Sequence, residues 1–199
     1  MGEIVVKVPS GMERLIERKI KIILEREMEK GLSRAVLSKY LGKFKGMSMK
    51  KTGTSSELIF LDSSVLIEGL KGNPSAVSLF EEILNSNLVP VINDIVFSEF
   101  IFHYIALKTG VSPFTIKKRG EIGNVILTEE PKDFLDQFHV LPTDDEVLEV
   151  SYGLMRKHNL LPNDAIILAT CLVFEVRNLG TLDSDLKQAG KKEGLNLLP

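Results

Sequence analysis

The chain has 199 residues, 44% of them hydrophobic and 26% charged, with a net charge of −2; such a composition supports a packed core and excludes disorder of the whole chain. A single cysteine, Cys171, excludes an intramolecular disulfide framework. No apolar run reaches the roughly 18 residues that a membrane span needs, so no membrane partner is expected.

The near-neutral total hides an asymmetry. Residues 1–52 carry 13 Lys and Arg against 6 Asp and Glu, about +7, while residues 53–199 carry 12 against 21, about −9. Oppositely charged segments in one chain suggest two tasks, or one segment that binds the other.

In chain order, Ile4 to Val8 is β-branched and strand-like. From Met12, the apolar residues Leu15, Ile16, Ile20 and Ile23 recur at helical steps. Gly31 is a plausible stop, and Ser33 a cap for a second helix with the face Val36, Leu37, Tyr40, Leu41 and Phe44. The stretch Lys45 to Ser56 is rich in Gly, Ser, Thr and Lys and reads as a linker. The charge shift falls at the same place. The chain is therefore divided into a strand–helix–helix arm, 1–52, and a larger domain, 57–199.

Beyond the linker, strands and helices alternate. Leu58 to Leu61, Val89 to Ile92, Phe138 to Leu141, Leu179 to Leu182 and Leu195 to Leu198 read as short strands. Helical patterns span Ala76–Leu84, Ile95–Leu107, Asp144–His158 and Asp164–Val176. Cys171 falls in the last of these and reads as a small core residue. The alternation predicts an α/β fold whose mostly parallel sheet is covered on both faces. In such sheets functional groups gather at the carboxyl ends of the strands.

Four acids attract notice there. Asp62 ends the first strand; its plainer reading is a helix cap. Glu99 lies in the apolar helical stretch IVFSEFIFHY with no Lys or Arg within a turn. Either it occupies a narrow exposed stripe or something positive holds it. Asp164 follows Pro162 and Asn163 at a helix start, where an acid also suits the helix dipole. Asp183 follows the fourth strand, with Asp185 two residues on, a pattern that turns alone can explain. Taken together, four carboxylates at converging positions repel one another unless a cation binds. Hard oxygen donors without His or Cys select Mg²⁺ or Mn²⁺ over zinc. His103, His139 and His158 are not spaced as ligands.

At these residues the sequence resembles the PIN-domain family, in particular the toxin nucleases of toxin–antitoxin pairs. Phe60-Leu61-Asp62-Ser63-Ser64 is similar to the family's opening motif, and Phe97-Ser98-Glu99-Phe100 to the second. Leu160-Leu161-Pro162-Asn163-Asp164-Ala165 matches the third, and Thr181-Leu182-Asp183-Ser184-Asp185 the closing one. The resemblance implies a three-layer α/β/α sandwich, dependence on Mg²⁺ or Mn²⁺, an RNA substrate and a homodimer. Carried over by position, it implies Asp62, Glu99, Asp164 and Asp183 as catalytic metal ligands. Ser63 and Thr181 would support them by hydrogen bonds, and Asp185 would act as ligand, support or surface group. More weakly, the arm is similar to a ribbon–helix–helix antitoxin, which implies DNA or an antitoxin-like partner. Its strand offers only Lys7 as an outward polar side chain, a departure from that pattern.

The leading expectation is a cytoplasmic, metal-dependent endoribonuclease of toxin type that leaves a 5′-phosphate and a 3′-hydroxyl. The reducing setting fits the lone cysteine and an N-terminus without a signal pattern. The alternative is a DNA-binding or assembly protein whose PIN domain is silent or self-inhibited by the arm. A third reading, a phosphatase or flap-type DNA nuclease, predicts DNA cleavage as well. Lys117-Lys118-Arg119 and Arg156-Lys157 read as solvated charge, or as part of an RNA path.

Overall fold

A computed structural model describes residues 39–44, 58–126 and 130–198. The expected arm strand, its first helix and the linker lie outside these residues.

The first strand, β1 (Leu58–Leu61), is the centre of the sheet. Its apolar run is buried from Ile59 onward because helices cover both faces. β1 pairs in parallel with β2 (Val89–Asn93) on one side and β4 (Asn178–Gly180) on the other. Outside them lie β3 (His139–Leu141) and β5 (Asn196–Leu198), giving the all-parallel order β3-β2-β1-β4-β5. The chain thus winds outward from β1 to β3, then returns to β4 and winds the other way. The reversal leaves a crevice at the carboxyl ends of β1 and β4.

From β1 to β2 run α1 (Ser63–Leu70) and α2 (Pro74–Leu84). Gly69 of α1 is required by packing: a Cβ there would lie 2.5 Å from the Phe80 ring of α2. From β2 to β3 run α3 (Asp94–Thr109), α4 (Pro113–Lys118), α5 (Ile122–Val125) and α6 (Glu130–Leu135). The return to β4 uses α7 (Asp145–His158) and α8 (Pro162–Val173), and α9 (Ser184–Lys192) leads to β5. The α/β/α architecture expected from the sequence is present.

Most boundaries shift by one to three residues from expectation, and two of the shifts bear on the site. The helix expected over 164–176 starts at Pro162 and ends at Val173, because Glu175 takes a left-handed φ of 53° and Val176 N–H donates back to the Cys171 carbonyl. The fourth strand ends at Gly180, so Thr181 to Asp183 form a loop before α9. Helices α1, α4, α5, α6 and α9 escaped the sequence reading; the inward face of α9 is only Leu186, Ala189 and Gly190.

Residues 39–44 belong to this core. Tyr40 and Phe44 are fully buried, whereas Leu41 points outward. The Tyr40 ring meets Phe80 edge-on at 5.1 Å, and Phe44 meets Phe138 at 5.5 Å. Phe44 N–H donates to Gln137 Oε1 at 3.2 Å, and the Tyr40 hydroxyl donates to Glu81 Oε1 at 2.8 Å. Gln137 and Phe138 immediately precede β3. This contact therefore sits at the amino end of the sheet, opposite the crevice.

Candidate functional site

Strand ends and helix starts bring all four acids to the crevice end. Asp62 follows β1, and Glu99 lies in the second turn of α3, which begins directly after β2. Asp164 is the third residue of α8, and Asp183 precedes α9.

Asp62 is 3% exposed. Its Oδ2 accepts from Ser64 Oγ at 2.5 Å and from Thr181 Oγ1 at 2.8 Å. Its own N–H donates to the Gly180 carbonyl at 2.9 Å, locking the two strand ends together. Burial pushes the Asp62 carboxyl above the usual range; the Ser64 and Thr181 hydroxyls pull it back, and the charge on Glu99 pushes it up again. The helix-cap reading is also true: Asp62 is the N-cap of α1. The Ser64 hydroxyl accepts from Leu182 N–H at 2.9 Å while donating to Asp62, so this serine links both loops.

Glu99 is half-buried, and a neutral donor occupies each of its oxygens. Ser63 Oγ donates to Oε2 at 2.5 Å, and Asn163 Nδ2 donates to Oε1 at 2.6 Å. Those bonds resolve the puzzle of a carboxylate in an apolar helix without an ion pair in its own turn.

Asp164 has its pKa raised to about 6, first by burial and then by the charges of Asp183, Asp62, Glu99 and Asp185. After burial, the charges of these four acids each add to the shift on Asp164. Asp183 caps α9, accepting from Asp185 N–H at 2.9 Å and Leu186 N–H at 2.8 Å. Asp185 is exposed in the first turn of α9, where its charge suits the helix dipole.

Beneath the acids, Asn93 and Thr170 are fully buried. Asn93 Nδ2 donates to Thr170 Oγ1 at 3.0 Å, and Asn93 Oδ1 accepts from Val96 N–H at 3.1 Å. This pair pins the start of α3 to α8, and so sets Glu99 against Asp164. Sequence reading missed Ser64, Asn163, Asn93 and Thr170. The available signals were a second serine beside Asp62, a polar neighbour of Asp164, and a lone threonine in an apolar helix.

Among the described residues, no three His, Cys, Asp or Glu side chains stand close enough to enclose one ion as they are placed. The donor set nonetheless suits a hard divalent cation: of the four carboxylates, Asp62 is pushed up by burial and by the charge of Glu99, and Asp164 by burial and by the charges of the other acids. Drawing in around a cation would relieve that repulsion.

Residues 59–192 match the PIN domain family. The chain is 32% identical over 140 residues to Ribonuclease VapC2 of Methanocaldococcus jannaschii, covering 70% of this chain and 94% of that protein. It is 34% identical over 139 residues to Ribonuclease VapC6 of the same organism, covering 65% of this chain and 91% of that protein. A solved structure of FitAcB from Neisseria gonorrhoeae aligns with a TM-score of 0.48 at 20% identity, over 71% of this chain and 96% of that chain. By the family match over residues 59–192, more than half of the chain, and by its 32% identity to Ribonuclease VapC2, the chain belongs to the PIN domain family.

Proposed function

We propose that this protein is a divalent-metal-dependent endoribonuclease of toxin type, with Asp62, Glu99, Asp164 and Asp183 as the metal-holding acids. The observation that carries the reading is the coupling of Asp164 to four other acids at the crevice, beside a buried Asp62. Similarity to two proteins named as ribonucleases supports RNA as the substrate.

A bound Mg²⁺ or Mn²⁺ supplies Lewis acidity toward a phosphodiester and makes a water nucleophilic near neutral pH. The residues of the chain prepare that chemistry. Ser64 and Thr181 hold the Asp62 carboxylate in one orientation, so little reorganisation is left for the reaction. Ser63 does the same for one oxygen of Glu99. Asp185 adds negative charge from the rim. Lys117, Lys118 and Arg119 are exposed and offer phosphate contacts; Lys157, also exposed, pairs with Glu193 at 2.7 Å.

The division into an arm over 1–52 and a nuclease domain over 57–199 forms part of this proposal, with Tyr40 and Phe44 as the contact between them. So do a homodimer, a cytoplasmic setting, and an antitoxin or DNA as partner of the arm. No helix among the described residues is long and apolar enough to cross a membrane. Purified protein should cut single-stranded RNA with Mn²⁺ or Mg²⁺ and stop with EDTA. Cleavage that survives EDTA overturns the metal assignment. Equal cleavage of DNA favours the broader nuclease reading.

A further inference from the structure

We infer that Asn163 is a positioning residue for Glu99, holding it beside Asp164 without neutralising its charge. The inference rests on the nuclease reading and adds a residue to it. Three observations lead there. Glu99 and Asp164 are carboxylates of like charge brought to the same end of the sheet by α3 and α8, and like charges repel. Left free, a half-buried glutamate on α3 would swing away from its neighbour. Asn163 stands immediately before Asp164 in the first turn of α8, and its amide donates to Glu99 Oε1 at 2.6 Å. The same bond therefore ties the second acid to the helix that carries the third.

The chemistry of the donor matters. A lysine or arginine at position 163 would hold Glu99 more strongly, but it would also cancel the charge that a cation needs. A neutral amide orients the carboxylate and leaves that charge intact. Ser63, also neutral, holds the other oxygen at 2.5 Å from α1. Glu99 is thus gripped from two helices, one oxygen each. Because Asn163 is exposed, its removal leaves no cavity in the core.

The test uses full-length protein and the variants Asn163→Ala, Asn163→Asp, Glu99→Ala and Asn163→Ala/Glu99→Ala. Mn²⁺ binding is measured by calorimetry, and RNA cleavage by initial rates. Asn163→Ala should weaken Mn²⁺ affinity and lower kcat, each by about tenfold, as loss of a group that orients a ligand does. KM should stay unchanged, and the fold should stay intact with a small but measurable drop in melting temperature. Asn163→Asp, which aims an anion at Glu99, should lose more than Asn163→Ala and recover part of its rate as Mn²⁺ is raised. In EDTA, a double-mutant cycle on melting should show that Asn163→Ala has a smaller effect when Glu99 is already alanine. Unchanged Mn²⁺ affinity and kcat in Asn163→Ala overturn the positioning role, as does a loss confined to KM, which would make Asn163 a substrate contact. Additivity in the cycle overturns the contact itself. If the parent protein neither binds Mn²⁺ nor cuts RNA, the nuclease reading fails, while the cycle still decides whether Asn163 holds Glu99.

Discussion

At the carboxyl end of the sheet, Asp62, Ser64 and Thr181 close around a charge that burial disfavours, whereas at the amino end Tyr40, Phe44, Phe80, Phe134 and Phe138 close around one another. The rings form a continuous series that reaches α3, since Phe134 stacks on Phe100 at 5.5 Å. Phe100 is the neighbour of Glu99. One end of the molecule thus stores repulsion, and the other supplies packing that resists it. Sites built for binding commonly give up stability locally, and the fold makes it good elsewhere. The comparison teaches that the two ends should respond to opposite kinds of perturbation: removing charge at the acid end should cost activity and spare the fold, and removing rings at the other end should do the reverse.

The largest effect belongs to the acids. Asp62→Asn and Asp164→Asn should lower RNA cleavage by about a hundredfold or more, since each removes a group proposed to hold the metal. Cleavage assays at saturating Mn²⁺ check this, and circular dichroism should show an intact fold. Next comes Phe44→Ala, which empties a fully buried site. It should cost about 3–5 kcal/mol in urea unfolding, while the folded protein keeps its cleavage rate. A large rate loss without unfolding would mean that the two ends are coupled through Phe134 and Phe100.

A third test sharpens the electrostatic side. In the fold Asp164 titrates at about 6, against roughly 3.9 in an unfolded chain. Between those values the folded state binds more protons than the unfolded one. The Asp164 contribution is therefore full below about pH 4 and is lost as pH rises through about 6. Metal-free protein should show a falling melting temperature over that window, and Asp62 adds in the same direction. Asp164→Asn should flatten the decline and melt higher than the parent at pH 7 in EDTA. Adding Mn²⁺ should reverse that order.

The smallest effect concerns Lys39. Its pair with Glu81, at 2.6 Å, is exposed on both sides, and such pairs contribute little and are screened by salt. Lys39→Ala should leave the melting temperature nearly unchanged at moderate ionic strength. A drop comparable to that of Phe44→Ala would show that the amino-end contact is held by charge rather than by rings.

Much of this was legible in the sequence. The runs 58–61 and 89–92 were readable as strands because burial on both faces demands unbroken apolar residues. The acids were readable because strand ends and helix starts are where the fold places chemistry. The supporting polar groups were not, since a hydroxyl such as Thr170 or an amide such as Asn93 becomes informative only when its partner, 77 residues away, is known. Nor did periodicity reveal that the segment ending at Phe44 contributes to the core. Helical spacing marked Tyr40 and Phe44 as one face but carried no information on what that face would meet.

The bond from Thr181 to Asp62 joins residues 119 apart, and its consequence is one of timing. At ribosomal speeds of about 5–20 residues per second, that separation is on the order of ten seconds of synthesis. Once residue 93 is made, β1 can have β2 beside it but not yet β4, so the strand that leads into Thr181 and Asp183 is missing. A partly made chain therefore has Asp62 and Glu99 but neither Asp183 nor the hydroxyl of Thr181. The acid end is completed only once residues 181–183 have been made, and any power to cut RNA arrives no earlier than that.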